Sequence, residues 1–145
     1  MFLGKNHCTL DKQNRLLLPP AFRGQLSGEI YITQGFDRNL MFFTTSAFQD
    51  VYDGVRALNI ADPLARLLFR MILGSAFEAR ADESGQIEIP ENLQNFAALS
   101  EQVLLIGQGN YFEIWSPDLW KKQEEQLADA ETNASRFSEL TILAR

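Results

Sequence analysis

A cluster of basic side chains near the N-terminus is the part of this sequence best suited to bind a ligand. It comprises Lys5, His7, Lys12 and Arg15, with Asn14 directly before the arginine. Lysine and arginine contact phosphate groups, and an arginine can also donate two hydrogen bonds to the edge of a guanine. If these side chains gather on one outward side, they predict a nucleic acid as the partner.

The sequence contains few residues that could catalyse a reaction. With one histidine and one cysteine in the chain, a single subunit cannot assemble a histidine and cysteine metal cluster, and Cys8 cannot form an internal disulfide. His7 has no nucleophile or carboxylate at a recognisable spacing, and Gly107-Gln-Gly109 lacks the third glycine of a dinucleotide-binding motif. We therefore expect that the protein is not an enzyme and that it binds no metal, cofactor or small-molecule substrate. We expect the Cys8 side chain to be buried as a small hydrophobic group.

The elements that must position the basic residues occur twice in the chain. The segment from Asp11 to Pro19, Asp-Lys-Gln-Asn-Arg-Leu-Leu-Leu-Pro, returns 71 residues later from Asp82 to Pro90 as Asp-Glu-Ser-Gly-Gln-Ile-Glu-Ile-Pro. Each copy is too small to bury a core alone. The repeat therefore predicts an α+β, pseudo-two-fold unit whose halves pack on or into each other.

Each repeat follows the pattern strand, strand, helix, strand, strand. In the first repeat we predict strands at 5–10, 15–18, 29–33 and 40–44 and a helix at 20–25; in the second, a helix at 91–97 and strands at 102–106 and 111–115. Asp11 and Asp82 can each cap a tight turn with their carboxylates. Asn14 and Gly85 then occupy equivalent positions that tolerate a left-handed backbone.

The remaining segments look helical. One helix is expected after Ser46 and another after Asp62-Pro63, while a last helix should run from Ser116-Pro117 to about Ala130. From Thr132 we expect fraying, with Leu140, Ile142 and Leu143 available to dock. The predicted organisation is a first half at 5–48, a helical linker at 49–74, a second half at 77–120, and a C-terminal helix and tail at 121–145. No stretch approaches a membrane span and no signal-peptide pattern is present, so a cytoplasmic location is the default.

Charge is distributed unequally between the repeats. The formal net charge is -6, which by itself argues against nucleic acid, but residues 1–23 hold four basic residues and one acidic residue. Residues 72–94 hold one basic residue and five acidic ones, and Gln86 stands where the first repeat has Arg15. We therefore expect the first hairpin to meet phosphate and the acidic second half and C-terminal helix to face away. Gln86 and Arg80 are secondary candidates for contact, because Gln86 has no charge and Arg80 is the nearby residue that could supply it.

Several motifs together resemble the MraZ family of bacterial transcriptional regulators over almost the whole chain. They are Leu3-Gly4, Leu10-Asp11-x-x-x-Arg15-Leu-x-x-Pro19, Asp62-Pro63 with Ala65-Arg66, Leu73-Gly74 and Glu113-Ile114-Trp115. The resemblance implies two AbrB/SpoVT-like swapped-hairpin halves that interlock into one β-barrel-like unit with flanking helices, and subunits that close into a ring-shaped homo-oligomer. It also implies a nucleoid-associated regulator that binds double-stranded DNA at promoter direct repeats upstream of the division and cell-wall gene cluster. Arg15, Lys12 and Lys5 would carry the contacts, with His7 and Asn14 beside them.

Two other functions remain open. One is an oligomeric interaction or scaffold protein with weak or lost DNA binding, which Gln86 and the acidic balance favour. The other is an antitoxin-type regulator of the same superfamily, although such proteins usually have one motif and a disordered tail. Candidate residues at a subunit interface are Leu17, Phe36, Phe42, Phe43 and Trp120, which core packing would explain equally well.

Overall fold

Both repeats fold as strand, strand, helix, strand, strand. The computed structural model describes residues 1–141, and within them the elements are β1 (Lys5–Thr9), β2 (Arg15–Leu17), α1 (Pro20–Arg23), β3 (Ile30–Gln34), β4 (Leu40–Thr44), α2 (Thr45–Arg56), α3 (Pro63–Ile72), β5 (Phe77–Ala79), β6 (Gln86–Glu88), α4 (Glu91–Phe96), β7 (Gln102–Gly107), β8 (Tyr111–Trp115), α5 (Pro117–Ala128) and α6 (Ala130–Phe137). A proline directly precedes or begins α1 and α4, because proline has no N–H for a strand ladder and suits a first helical turn.

The two repeats exchange strands. A six-stranded antiparallel sheet has the order β1-β7-β8-β4-β3-β5, so β1 of the first repeat pairs with β7 of the second, and β5 of the second pairs with β3 of the first. A separate two-stranded sheet joins β2 to β6. The strands β1, β3 and β4 of the first repeat correspond to β5, β7 and β8 of the second, so the strand order read from one edge of the sheet matches the order read from the other edge. The halves are therefore related by a pseudo-two-fold axis between β4 and β8, and they pack into each other.

The outer strands of the six-stranded sheet leave it open. β1 and β5 lie at its two ends, and no ladder joins them among residues 1–141. The fold is thus α+β with two antiparallel sheets. The barrel-like closure that we predicted is not shown by this strand pairing.

The core lies on both faces of the larger sheet. On one face, the two-stranded sheet buries Leu16, Leu18, Ile87 and Ile89 together with Cys8. Near the pseudo-two-fold axis, the rings of Phe42 and Phe112 stack with centroids 4.1 Å apart. On the other face, α2 and α3 cover Met41 and Phe43. Burial of such side chains is the main term that stabilises the interlocked fold.

Several sequence expectations are revised by this packing. Phe42 and Phe43 are core residues and not interface candidates, whereas Leu17 and Phe36 are exposed. The ring of Trp120 packs edge-on against Trp115. Cys8 is buried, as expected, and burial raises the pKa of its thiol.

The helix ends also differ in detail from the sequence prediction. α2 begins at Thr45, before Ser46, and the Thr44 side chain caps it by accepting a hydrogen bond from the Ala47 N–H. Residues 132–137 of the segment predicted to fray lie within α6, whose first turn is capped by Asp129. Leu140 is exposed, while Ile142 and Leu143 lie outside the described residues. In the described part of the chain, no helix has the length and apolar character needed to cross a membrane.

Candidate nucleic-acid interface

The two repeated turns have the same hydrogen-bond geometry. Asp11 Oδ1 accepts from the backbone N–H groups of Gln13 and Arg15, at 2.8 and 2.9 Å. Asp82 Oδ1 accepts from those of Ser84 and Gln86, both at 2.9 Å. A short polar side chain in the first position of each motif therefore fixes the start of β2 or of β6.

Each turn is also held by a helix of the other repeat. Arg23 in α1 donates from Nη1 to the Ser84 carbonyl at 3.2 Å, and its counterpart Gln94 in α4 donates from Nε2 to Asn14 Oδ1 at 2.9 Å. Asn14 has φ 65° and Gly85 has φ 80°, both left-handed. A side chain at position 85 would collide with Arg23, since a Cβ there would lie 2.0 Å from its Cδ. Asn14 is thus a clamped, half-buried turn residue.

The pairing of β2 with β6 forms a short ribbon with one buried and one outer face. Leu16 and Ile87 face the core, while four side chains face outward: Arg15, Leu17, Gln86 and Glu88. Arg15 is directly opposite Glu88, and Leu17 is opposite Gln86. We call this surface the outer face of the ribbon.

The side chain of Arg15 bonds to the other repeat, although its backbone N–H bonds to Asp11 of its own motif. Its Nη1 donates to Asp82 Oδ2 at 3.1 Å, and both side chains remain partly exposed. The contact joins β2 to the turn that precedes β6. Asp82 therefore orients the guanidinium, whereas Asp11 holds the backbone N–H of Arg15.

This interlocking corrects the expected separation of the two hairpins. The acidic second motif does not face away from Arg15, because strand exchange places Gln86 and Glu88 on the same surface. The ribbon, its two turns and the adjacent end of α1 carry three cations, Lys12, Arg15 and Arg23, and four carboxylates, Asp11, Asp82, Glu83 and Glu88. The surface of one copy is therefore mixed in charge and not basic.

Lys5 and His7 lie on a different side of the molecule. Along β1, Cys8 faces the core beneath the ribbon, so the alternating positions of Lys5 and His7 face the other way. His7 is opposite Leu104, and the Lys5 ammonium lies 3.7 Å from Glu124 Oε1 in α5. The expectation that one outward side gathers these two residues with Lys12 and Arg15 is therefore not met.

The remaining predicted cations differ in availability. Lys12 is exposed on the first turn and has no ion pair with any residue of 1–141. Arg80 instead bonds to Glu29. The pKa of Glu29 is lowered first by a hydrogen bond from its own backbone N–H and then by Arg80. Arg80 is thus engaged elsewhere and does not replace the charge missing at Gln86.

β8 contains a half-buried carboxylate, Glu113, that the sequence did not identify as a site residue. Glu113 Oε1 accepts from Trp115 Nε1 at 3.1 Å and from Gln108 Nε2 at 3.3 Å. Burial raises the pKa of Glu113 despite these donors. Its only signal in the sequence was its place in the motif Glu113-Ile114-Trp115. Over residues 1–141, no three histidine, cysteine or acidic side chains come together as metal ligands.

The tandem architecture agrees with comparison to known proteins. A family model described as "MraZ protein, putative antitoxin-like" matches residues 1–71 and again residues 72–140. The chain belongs to the MraZ family. Membership of this non-enzyme family confirms that the chain is not an enzyme.

Relatives in the MraZ family align over nearly their full length. A protein of Roseiflexus castenholzii is 39% identical over 139 residues, which cover 96% of this chain and 95% of the relative. One of Thermomicrobium roseum is 36% identical, covering 88% and 90% respectively, and one of Salinispora tropica is 36% identical, covering 90% and 95%. All three bear the name transcriptional regulator MraZ. The solution structure of PHS018 from Pyrococcus horikoshii matches 79% of this chain and 88% of its own at 17% identity, with a TM-score of 0.34.

Proposed function

We propose that this MraZ-family chain is a sequence-specific, DNA-binding transcriptional regulator. It acts in the cytoplasm on the nucleoid, at direct repeats upstream of the division and cell-wall gene cluster. The relatives named as transcriptional regulators support this function. The observation that carries it is the outer face of the ribbon, where Asp82 orients Arg15 on an exposed two-stranded surface.

The proposed architecture consists of two AbrB/SpoVT-like swapped hairpins. We assign 5–48 to the first half, 49–74 to the helical linker, 77–120 to the second half and 121–145 to the C-terminal region. The exchange of β1 and β5 between repeats supports this division. In the ribbon, the first half would contribute β2 and the second half β6, and both strands would face DNA.

A two-stranded ribbon fits the major groove, which is about 12 Å wide. Arg15 would contact a base edge, because its single bond to Asp82 leaves other N–H groups for a guanine. Lys12, exposed on the adjacent turn, would contact a phosphate. The proposed interface does not include Lys5 and His7, since their side chains face away from the ribbon. Asn14 supports the turn.

Several copies of the ribbon are needed for useful affinity. Each neutralised phosphate contributes about -0.9 to the slope of log affinity against log salt, and one copy offers few free cations. A ring-shaped homo-oligomer multiplies these contacts when operator repeats match the spacing of its subunits. Large exposed apolar side chains on or beside α2 and α3 support self-association: Leu58, Ile60, Leu64 and Leu67.

The mixed charge of the ribbon also supports a second candidate function. Four carboxylates surround the three cations of this surface, and like charge repels phosphate. An oligomeric scaffold with weak or lost DNA binding would keep the fold and the apolar helices. DNA binding explains why Asp82 orients Arg15, whereas a scaffold function does not.

Binding of the protein to its own upstream DNA separates these functions. The purified chain, Arg15→Ala and Arg136→Ala are titrated with that duplex and with a scrambled duplex at two salt concentrations, and light scattering measures their oligomeric mass. Arg136 is an exposed arginine on α6, so its variant is the control for loss of one charge. We expect salt-dependent binding that weakens by roughly ten-fold or more in Arg15→Ala and little in Arg136→Ala. An intact oligomer that prefers neither duplex would contradict the regulator and favour the scaffold.

A further inference from the structure

We infer that Gln86 is a second base-reading residue, and that the outer face of the ribbon therefore recognises an asymmetric DNA sequence in one fixed orientation. This inference rests on the proposed function. It concerns the residue where the second motif departs from the first. Gln86 would then be a reader of a different base and not a weakened copy of Arg15.

The geometry places Gln86 within reach of the same DNA as Arg15. Gln86 stands opposite Leu17, two positions along β2 from Arg15, and its side chain lies on the outer face of the ribbon. Paired strands are about 4.8 Å apart, and residues two apart in a strand are about 6.6 Å apart. Since successive base pairs are about 3.4 Å apart, the outer face spans two to three base pairs.

The side chain of Gln86 has its hydrogen-bonding groups available. Its backbone N–H is bonded to Asp82, but its amide makes no side-chain hydrogen bond with any residue in the described range. A glutamine amide can donate to N7 and accept from N6 of an adenine, whereas arginine prefers N7 and O6 of a guanine. The ribbon therefore presents two readers with different base preferences.

The other two outward residues strengthen the asymmetry. The pseudo-two-fold axis relates Arg15 to Gln86, and it relates Leu17 to Glu88. Leucine offers only apolar contact, as to a thymine methyl, whereas a glutamate can accept from N4 of a cytosine and repels phosphate. The backbone of the ribbon is nearly symmetric, but its chemistry differs at the two ends.

The asymmetry of the ribbon determines which arrangement of DNA sites it favours. A ribbon with equivalent residues at both ends would bind a short palindrome equally well in either orientation. This ribbon would bind one orientation better than its inverse. Copies related by rotation around a ring present the ribbon in the same sense, so they favour head-to-tail sites over inverted pairs.

The test is a base-substitution scan of the bound duplex. The unaltered protein, Gln86→Ala and Gln86→Arg are titrated with the upstream duplex, with each single base-pair substitution of one site, and with a scrambled duplex. Gln49→Ala and Gln49→Arg are matched controls, because Gln49 is exposed on α2, on the other face of the large sheet. Light scattering verifies that every variant keeps the same oligomeric mass.

We expect Gln86→Ala to lose discrimination at one or two adjacent base pairs by about five- to 150-fold, with scrambled-duplex affinity and salt slope unchanged because no charge is removed. Gln86→Arg should gain affinity for a site in which the second half is the inverted copy of the first, and the Gln49 variants should change neither property. Base preferences of both Gln86 variants identical to those of the unaltered protein would overturn the inference while leaving the regulator intact. Equal binding of the unaltered protein to all duplexes would overturn both.

Discussion

At the scale of single residues, the contact between Arg15 and Asp82 explains how an arginine can be both held and available. Its Nη1 lies 3.1 Å from Asp82 Oδ2 with both side chains partly exposed. An exposed pair of this kind contributes only about 0–1 kcal/mol to stability. The contact therefore limits the orientations of the guanidinium. Because it is weak, a DNA partner that pulls the guanidinium away from Asp82 loses little free energy.

Glu113 gives a residue-scale prediction on pH. Its pKa is raised in the folded protein by burial, so the native state binds more protons than the unfolded chain in the interval between the two pKa values. The free energy of unfolding should therefore fall as pH rises through that interval. Glu113→Gln removes the titration while its amide oxygen can still accept from Trp115.

The measurement is denaturant unfolding of the unaltered protein and Glu113→Gln at several pH values from about 4 upward. We expect the stability of the variant relative to the unaltered protein to increase with pH and then level off above the raised pKa. Glu125→Gln, exposed on α5, is the control for loss of one carboxylate. A difference that is the same at every pH would contradict this account of Glu113.

At the scale of elements, the sequence predicts what each strand exposes better than it predicts what each strand pairs with. Alternation along β1 correctly puts Cys8 on one face and His7 on the other. It cannot identify β7 as the partner, because a period of two fixes the face of a side chain and not the neighbouring strand. The tight turn at Asp11 favours pairing of β1 with β2, yet no ladder joins these strands in the described residues, and the isolated bridge to Leu16 comes from Leu10, which follows β1.

The candidate site was predictable to the same limited extent. The repeat identified Arg15 and Gln86 as equivalent, and both turns follow from Asp11 and Asp82. That Arg15 and Gln86 share one surface depends on the long-range pairing of β2 with β6. Closeness in sequence groups Lys5 with Arg15, but the partner of Lys5 is Glu124 in α5.

Gly85 tests the clamp between the repeats. Gly85→Ala places a side chain at φ 80° and 2.0 Å from Arg23 Cδ, whereas Gly109→Ala places one at φ 90° with no heavy atom within 4 Å. Both substitutions carry the cost of a left-handed alanine, about 1 kcal/mol or more. Only Gly85→Ala must also displace Arg23 from the Ser84 carbonyl.

We expect Gly85→Ala to lower the free energy of unfolding more than Gly109→Ala does, as measured by urea denaturation. Arg23→Ala should reduce the extra loss when combined with Gly85→Ala, since the clash disappears. Equal losses for the two glycine variants would show that Arg23 does not clamp the second turn.

At the scale of the whole molecule, strand exchange separates two surfaces with different character. The ribbon lies on one face of the six-stranded sheet, and α2 and α3 cover the other face. The helical side carries exposed Leu64 and Leu67, which suits contacts between copies. The ribbon side carries oriented polar groups, which suit a nucleic acid. One subunit can therefore contact neighbouring copies and a nucleic acid at the same time, through different faces.

The most direct test of the central claim is backbone amide hydrogen exchange of the intact oligomer with and without its own upstream duplex. The account predicts DNA-dependent protection in both ribbon segments, 11–17 and 82–88, and little change over 45–72. A scrambled duplex at the same salt concentration is the control. Protection of 11–17 without 82–88, or protection confined to α2 and α3, would contradict an interlocked ribbon that binds DNA with both strands.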